Sequence, residues 1–216
     1  MVAAVIPAAG VGARLGAGIP KAFVELGGVS LLQRSFEALR QAGIERIVIA
    51  VAPEMRPLAA AQCPGAVLVD GGAERVDSVR CALEALDVPD DEVVLVHDAA
   101  RALVPVSLIT SLCELPAGVD CVVPVLPVSD TVKTVDADGM VTGTPPRASL
   151  RAVQTPQACR AGALRRAFAL GLEGTDDASL IEAAGGTVAT IPGDQRALKI
   201  THPVDIVLAE HFLALQ

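Results

Sequence analysis

Chemistry-bearing residue types fall in a few short stretches. The first is Pro7-Ala-Ala-Gly-Val-Gly-Ala-Arg-Leu-Gly16, followed by Pro20-Lys21. Gly10 and Gly12 can take backbone conformations closed to other residues, so main-chain N–H groups there can turn inward around phosphates. Arg14 and Lys21 add positive charge to the same loop. Spacing separates it from two common phosphate loops. A Walker A loop has its lysine after glycine, whereas Lys21 follows Pro20. The dinucleotide fingerprint G-x-G-x-x-G is missed because Gly10, Gly12 and Gly16 are spaced one residue too far. No acid for a ribose follows the next apolar run, which ends at Ala52-Pro53.

The second stretch is Asp70-Gly-Gly-Ala-Glu-Arg-Val-Asp-Ser78. Gly71 and Gly72 let the backbone come close to a flat base, and Ser78 offers a hydroxyl to base or ribose. Its plainer reading is a strand–helix turn with a capping acid. The third is His97-Asp-Ala-Ala-Arg101, where Asp98 can face a metal or a sugar hydroxyl and Arg101 a phosphate. His97 is read as structural. Later come Asp130-Thr-Val-Lys133, Arg147, Thr155-Pro-Gln157, Thr175-Asp-Asp177 and Leu198-Lys199-Ile-Thr201. Each alone is more often a cap, a turn or a solvated charge. Lys199 stands out because it falls in an apolar run read as a strand, where an unpaired ammonium is costly.

These groups need elements to hold them, and the chain alternates strand and helix signals. Residues 2–7 are an apolar run that ends in the glycine-rich loop. Leu31, Leu32, Phe36 and Leu39 recur at helical spacing, with Ser30 as N-cap and Gly43 as stop. Strands are expected at residues 46–52, 66–70, 92–97 and 121–128. Helices are expected at 57–62, 73–86 and 108–115. Such alternation implies an α/β fold with a mostly parallel sheet covered on both faces. Ligands in sheets of this kind bind at the carboxyl ends of the strands. The pattern breaks at about 129–152. Residues 131–135 and 140–144 alternate around Asp138-Gly139 as in a hairpin, then Pro145-Pro146 and residues 152–155 follow. This is a β-arm inserted into one domain spanning 1–216. Helices at 163–170 and 178–184, strands at 188–191 and 198–200, and a last helix opening at Pro203 complete the pattern.

Composition narrows the function. The 216 residues are 52% hydrophobic, with four Phe and no Trp or Tyr, and the formal net charge is −8. An acidic surface without aromatic stacking platforms argues against nucleic acid as a partner. A small anion can still be held by a local cluster of Lys and Arg. The five cysteines form no C-x-x-C pair; their odd count argues against a disulfide framework and their spacing against a zinc ribbon. They are read as small apolar residues of a reducing compartment. Residues 2–6 lack a basic flank and read as a strand, not a signal peptide. No apolar run approaches the roughly 20 residues of a membrane span. The cytoplasm is the expected location.

Taken in order, PAAGVGARLG with PK, DGGAERVDSV, VHDAAR, DTVK, TPQ, TDDAS and LKIT resemble the 2-C-methyl-D-erythritol 4-phosphate cytidylyltransferases of the non-mevalonate isoprenoid pathway. The resemblance runs over nearly the whole chain. It implies a Rossmann-like nucleotidyltransferase fold of the GT-A-like kind and transfer of CMP from CTP to 2-C-methyl-D-erythritol 4-phosphate. Pro7, Ala8, Ala9, Gly10 and Gly12 would then cradle the nucleotide. Arg14 and Lys21 would hold the triphosphate and stabilise the transition state, with Arg147 and Lys199 as further catalytic cations. Gly71, Gly72 and Ser78 would hold the cytidine. Asp98, Arg101, Thr131, Arg147, Thr155, Thr175 and Lys199 would surround the methylerythritol phosphate. The resemblance also implies Mg²⁺, carried mainly on the CTP phosphates, and a homodimer joined through the arm. No second enzyme is expected after Gln216. Ala22 stands where the family often has Gln after Pro-Lys. A ribitol-5-phosphate cytidylyltransferase and a nucleotide-sensing protein without turnover are the alternatives; a sensor would need only the nucleotide half of the cations.

Overall fold

The computed structural model describes residues 2–10, 18–172 and 174–215. An eight-stranded sheet takes strands from along the chain. Its centre is β1 (Val2–Pro7), paired in parallel with β4 (Arg46–Val51) on one side and β6 (Val93–Val96) on the other. Beyond β4 lies β5 (Val67–Asp70), again parallel. Beyond β6 come β11 (Gln157–Arg160), β7 (Cys121–Pro127) and β12 (Val188–Pro192), with β10 (Arg151–Val153) also paired to β7. β12 runs parallel to β7, whereas β10 and β11 run antiparallel.

Apart from Arg46 at the start of β4, the central strands β1, β4 and β6 are apolar because both faces are covered. Alternate residues feed two separate cores. Ala4, Ile6, Ile47, Ile49 and Leu95 pack with Leu32, Phe36 and Leu39 of α1 (Leu31–Gln41), Ala59 of α2 (Arg56–Gln62) and Ile109 of α4 (Val106–Ser111). Ala3, Val5, Val48, Ala50, Val94 and Val96 pack with α3 (Arg75–Ala85), α5 (Ala161–Ala169) and α6 (Asp177–Ala183) through Val79, Leu83, Leu164 and Ile181. A third, smaller core joins the hairpin of β2 (Glu25–Leu26) and β3 (Val29–Ser30) to α7 (Pro203–Ala214) through Leu26, Ile200 and Ala209.

Several expectations hold. The Ser30 hydroxyl caps α1 by accepting from Gln33 N at 3.1 Å, and Gly43 ends that region at φ +84°. Pro203 opens α7. The arm is a short hairpin of β8 (Thr134–Val135) and β9 (Val141–Gly143), set off from the main sheet, whereas residues 151–153, expected in the arm, are β10 of that sheet because they pair with β7. Two further expectations are corrected, and one strand was not foreseen. Residues 198–200 are not a strand: the chain runs on from a 3₁₀ turn (Gln195–Ala197) outside any sheet, with Ile200 N donating to Ala100 O at 2.9 Å. The strand β11 was hidden because Pro156 and polar Gln157 open it. Its register sets Cys159 opposite Cys121, and the two are joined by a disulfide, so not all five cysteines are thiols. Cys63, Cys81 and Cys113 are free.

Candidate active site

β1, β5 and β6 end at one edge of the sheet, and the sequence continues each into a polar segment. There, Pro7, Ala8, Ala9 and Gly10, then Gly72 to Arg75 with Ser78, and Asp98 to Ala100 line a cavity of about 310 Å³. Lys21, Ala22, Lys199 and Thr201 close it. Nine residues separate Lys21 from the start of α1, and the β2–β3 hairpin and the third core brace that stretch.

The β5–α3 turn is tightly seated. A Cβ on Gly71 would lie 2.3 Å from Ala9 Cβ, and one on Gly72 would lie 2.1 Å from Asp77 Cβ. Both positions therefore need glycine for close approach. The Ser78 hydroxyl accepts from Gly72 N at 3.2 Å and donates to Glu74 O at 3.1 Å, so it orders the turn as well as lining the cavity.

Charge is organised around Asp98, which is 7% exposed. Its Oδ1 accepts from Arg75 Nε at 2.8 Å, and its Oδ2 meets Lys199 Nζ at 2.6 Å. Burial alone would raise this carboxyl's pKa, but the two cations outweigh burial and hold it far below the usual carboxylate range. Arg75 Nη2 also donates to Asp177 Oδ2 at 2.8 Å. Burial opposes the Arg75 charge, yet Asp177 and Asp98 together push its pKa up. Burial pushes the Asp177 carboxyl up, partly offset by Arg75. As the first residue of α3, Arg75 faces an unfavourable helix dipole, which these two carboxylates offset.

His97 is fully buried, and burial lowers its pKa to about 4. Its Nδ1 lies 3.2 Å from the Thr155 hydroxyl, which accepts from Asp98 N at 3.0 Å. Burial favours the neutral ring, and His97 and Thr155 brace Asp98 from behind. This agrees with the structural reading of His97.

Of the residues singled out in the sequence, Pro7, Ala8, Ala9, Gly10, Lys21, Gly72, Ser78, Asp98 and Lys199 line the cavity, with Gly71 just behind it. Gly12 and Arg14 lie outside the described residues. Lys199 sits in an extended segment, and its side chain is 41% exposed. Arg101 turns to main-chain oxygens instead of the cavity, donating to Ala197 O at 2.7 Å and Val153 O at 3.1 Å. Thr155 is buried with its hydroxyl engaged inside the protein. Thr175 borders a second cavity of about 100 Å³ beside Arg75 and Asp177. Thr131 and Arg147 are exposed on the arm, where Arg147 Nη1 donates to Ser129 O at 2.6 Å. Arg75 and Asp177 fall in the stretches Asp70–Ser78 and Thr175–Asp177 picked out from the sequence, but neither was given a role there. An arginine at a helix start, against the dipole, was the available signal.

The family model for 2-C-methyl-D-erythritol 4-phosphate cytidylyltransferase (IspD) matches residues 2–215. The chain belongs to this family. Proteins of that name from Rhodococcus jostii and Frankia casuarinae are 53% and 52% identical to it. The first alignment covers 96% of this chain and 93% of the relative, the second 99% and 81%. The crystal structure of the Thermus thermophilus family member superposes with a TM-score of 0.82 at 40% identity, covering 99% of this chain and 98% of that one. Family membership makes the protein an enzyme of the nucleotidyltransferase class, with the α/β architecture of its relatives.

Proposed function

We propose that the protein transfers CMP from CTP to 2-C-methyl-D-erythritol 4-phosphate, releasing pyrophosphate and 4-diphosphocytidyl-2-C-methyl-D-erythritol. The observation that carries the reading is the convergence of Lys21, Arg75, Asp98 and Lys199 on a glycine-walled cavity at the sheet edge, in a chain of this family. An acceptor phosphate oxygen attacks the α-phosphorus of CTP, forming one P–O bond while the bond to the β-phosphate oxygen breaks. That nucleophile is ionised at neutral pH, so it needs no base. His97, buried and bonded to Thr155, is not offered as one. The protein's task is to align two anions and offset their charge. Lys21, and Arg14 of the same loop, act on the triphosphate. Lys199 faces the acceptor phosphate from its anchor on Asp98, and the Gly71-Gly72 turn with Ser78 takes the cytosine and ribose.

Mg²⁺ fits as part of the nucleotide complex, where it supplies charge neutralisation on the phosphates. Among the described residues no three His, Cys, Asp or Glu side chains cluster as a ready cage, and both oxygens of Asp98 are already held by cations. The arm supports a homodimer. Val135, Met140 and Val141 on it are 57 to 66% exposed, and a lone two-stranded hairpin is marginal in water. In that dimer Thr131 and Arg147 reach the partner's acceptor site. The chain acts as one domain with the arm as an insertion. No helix among the described residues is long and apolar enough to cross a membrane. The cytoplasm, where nucleoside triphosphates are available, is the expected location.

The test is pyrophosphate release with CTP and a panel of sugar-alcohol phosphates that includes 2-C-methyl-D-erythritol 4-phosphate and ribitol 5-phosphate, repeated with UTP, ATP and GTP. Turnover with methylerythritol phosphate and CTP is expected to dominate. Preference for ribitol 5-phosphate, or equal turnover with UTP, overturns the assignment.

A further inference from the structure

Asp177 does not line the main cavity, yet it is 1% exposed and its Oδ1 has no hydrogen-bond partner among the described residues. A buried carboxylate with one oxygen unsatisfied is costly, and an apolar or amide side chain would avoid the cost. Capping does not explain it. Asp176 is the N-cap of α6 and holds Ser179 N at 2.9 Å through its own capping box. Gln157 fastens the same helix start by accepting from Ala178 N and donating to Asp176. The remaining contact of Asp177 is the 2.8 Å ion pair with Arg75 Nη2.

That contact governs what Arg75 can do. Nε and Nη2 lie along one edge of a guanidinium and form a fork that fits both oxygens of a single carboxylate. Here the fork is split, with Nη2 on Asp177 and Nε on Asp98 Oδ1. Asp98 Oδ2 is thereby left for Lys199 Nζ at 2.6 Å. The four groups alternate in sign from the inside of α6 to the cavity. Without Asp177, Arg75 can close its fork on both oxygens of Asp98 and displace Lys199.

We propose that Asp177 is a positioning residue of the transfer site: by holding Arg75 Nη2 it confines Arg75 to one oxygen of Asp98 and reserves the other for Lys199. The functional consequence rests on the reading that Lys199 faces the acceptor phosphate.

The experiment compares Asp177→Ala and Asp177→Glu with the parent, varying CTP and acceptor separately and measuring the folded fraction at the assay temperature. In Asp177→Ala, kcat/KM for the acceptor is expected to fall between about 10- and 100-fold, as for a misplaced catalytic group, while the KM for CTP stays within about threefold. Asp177→Glu should recover part of the loss, because the neighbouring cavity of about 100 Å³ has room for one methylene. In a Lys199→Ala background the same Asp177→Ala step should cost less than about twofold, since both lesions act along one path. A crystal structure of Asp177→Ala reads the geometry without turnover. It should show both Nε and Nη2 of Arg75 on Asp98, with Lys199 Nζ beyond about 3.5 Å. An unchanged Asp98–Lys199 contact overturns the proposal even if the parent turns over neither substrate. A loss in the Lys199→Ala background equal to that in the parent also overturns it. Should Asp177→Ala not fold, the same comparisons are read on Asp177→Asn, which keeps the volume. Failure of both to fold would make Asp177 a core residue and reject a positioning role.

Discussion

Gly71→Ala tests whether the two glycine-bearing loops form one nucleotide cradle. The added Cβ would sit 2.3 Å from Ala9 Cβ and 2.9 Å from Ser78 Oγ. Carbon atoms prefer about 3.5–4.0 Å, so the two methyl groups overlap by more than about 1 Å. Ala9 cannot rotate its Cβ away. Ser78 Oγ can turn only by leaving Gly72 N and Glu74 O. Overpacking of this kind typically costs about 1–3 kcal/mol. Were the two loops to part only in the bound state, that is roughly a 5- to 150-fold loss in CTP affinity. Were the strain spread through the fold, it would lower Tm by several degrees instead. Calorimetric titration with CTP and a thermal melt of the same sample divide the cost between these two. Ala9→Gly in the Gly71→Ala background removes the opposing methyl, leaving only the Ser78 contact. It should recover most of the loss. Unchanged CTP affinity and Tm in Gly71→Ala, or no rescue by Ala9→Gly, would refute the close approach of the loops.

Lys21→Ala should leave the protein folded and lower turnover by ~10²–10³, the usual cost of one preorganised charge donor; near-normal turnover of the folded variant removes Lys21 from the mechanism. His97 takes up a proton more readily once unfolded, its pKa rising from about 4 to about 6.5, so it lowers stability as pH falls from 6.5 towards 4 and changes nothing further below that. Between pH 7 and pH 5 its share is about 2 kcal/mol, and urea unfolding at both pH values should show that share missing from His97→Gln. An equal pH dependence in parent and variant defeats the assignment. For the arm, mixing Lys21→Ala and Arg147→Ala subunits should return about half the parental activity per heterodimer, because one site then carries both lesions and the other none. Confirmed heterodimers without recovery reject a cross-subunit role for Arg147, and a monomer at assay concentration rejects the dimer.

Local signals carried most of the architecture. Continuous apolar runs gave β1, β4 and β6, because strands buried on both faces need no alternation. Ser30 and Gly43 bracketed α1, and Pro203 marked the start of α7. What escaped was set by partners distant in sequence. β11 is polar at its start and is a strand only because β6 and β7 flank it. Leu198 to Ile200 reads as a strand by composition, yet its backbone bond to another element is Ile200 N to Ala100 O, and the segment joins no sheet. The glycine loops and Asp98 were visible as turn-plus-charge patterns at strand ends. The pairing of Arg75 with Asp177 was not, since an ion pair spanning 102 residues has no local trace even where one partner sits at a helix start.

On the proposed assignment of the site, the same ion pairs let a protein of net charge −8 hold two phosphorylated substrates. Among the described residues lining the cavity, Lys21, Arg75 and Lys199 face Glu74 and Asp98, a local balance of +1. Bare cations would attract anions more strongly, but a long lysine or arginine without a partner samples many rotamers and must be ordered at the moment of binding. Ordering such a side chain costs about 0.5–1.5 kcal/mol. Asp98 moves that cost into folding: it holds Arg75 and Lys199 at 2.8 and 2.6 Å before any ligand arrives. It is itself fixed by Thr155 and the fully buried His97, and Arg75 is fixed by Asp177. Ground-state attraction for phosphate is thereby weakened, since each cation is already partly neutralised. Aim is gained, because a preorganised donor stabilises charge in the transition state without reorganising. In the proposed transfer site, an acidic carboxylate in the middle of the cavity is therefore the feature that keeps its cations in place.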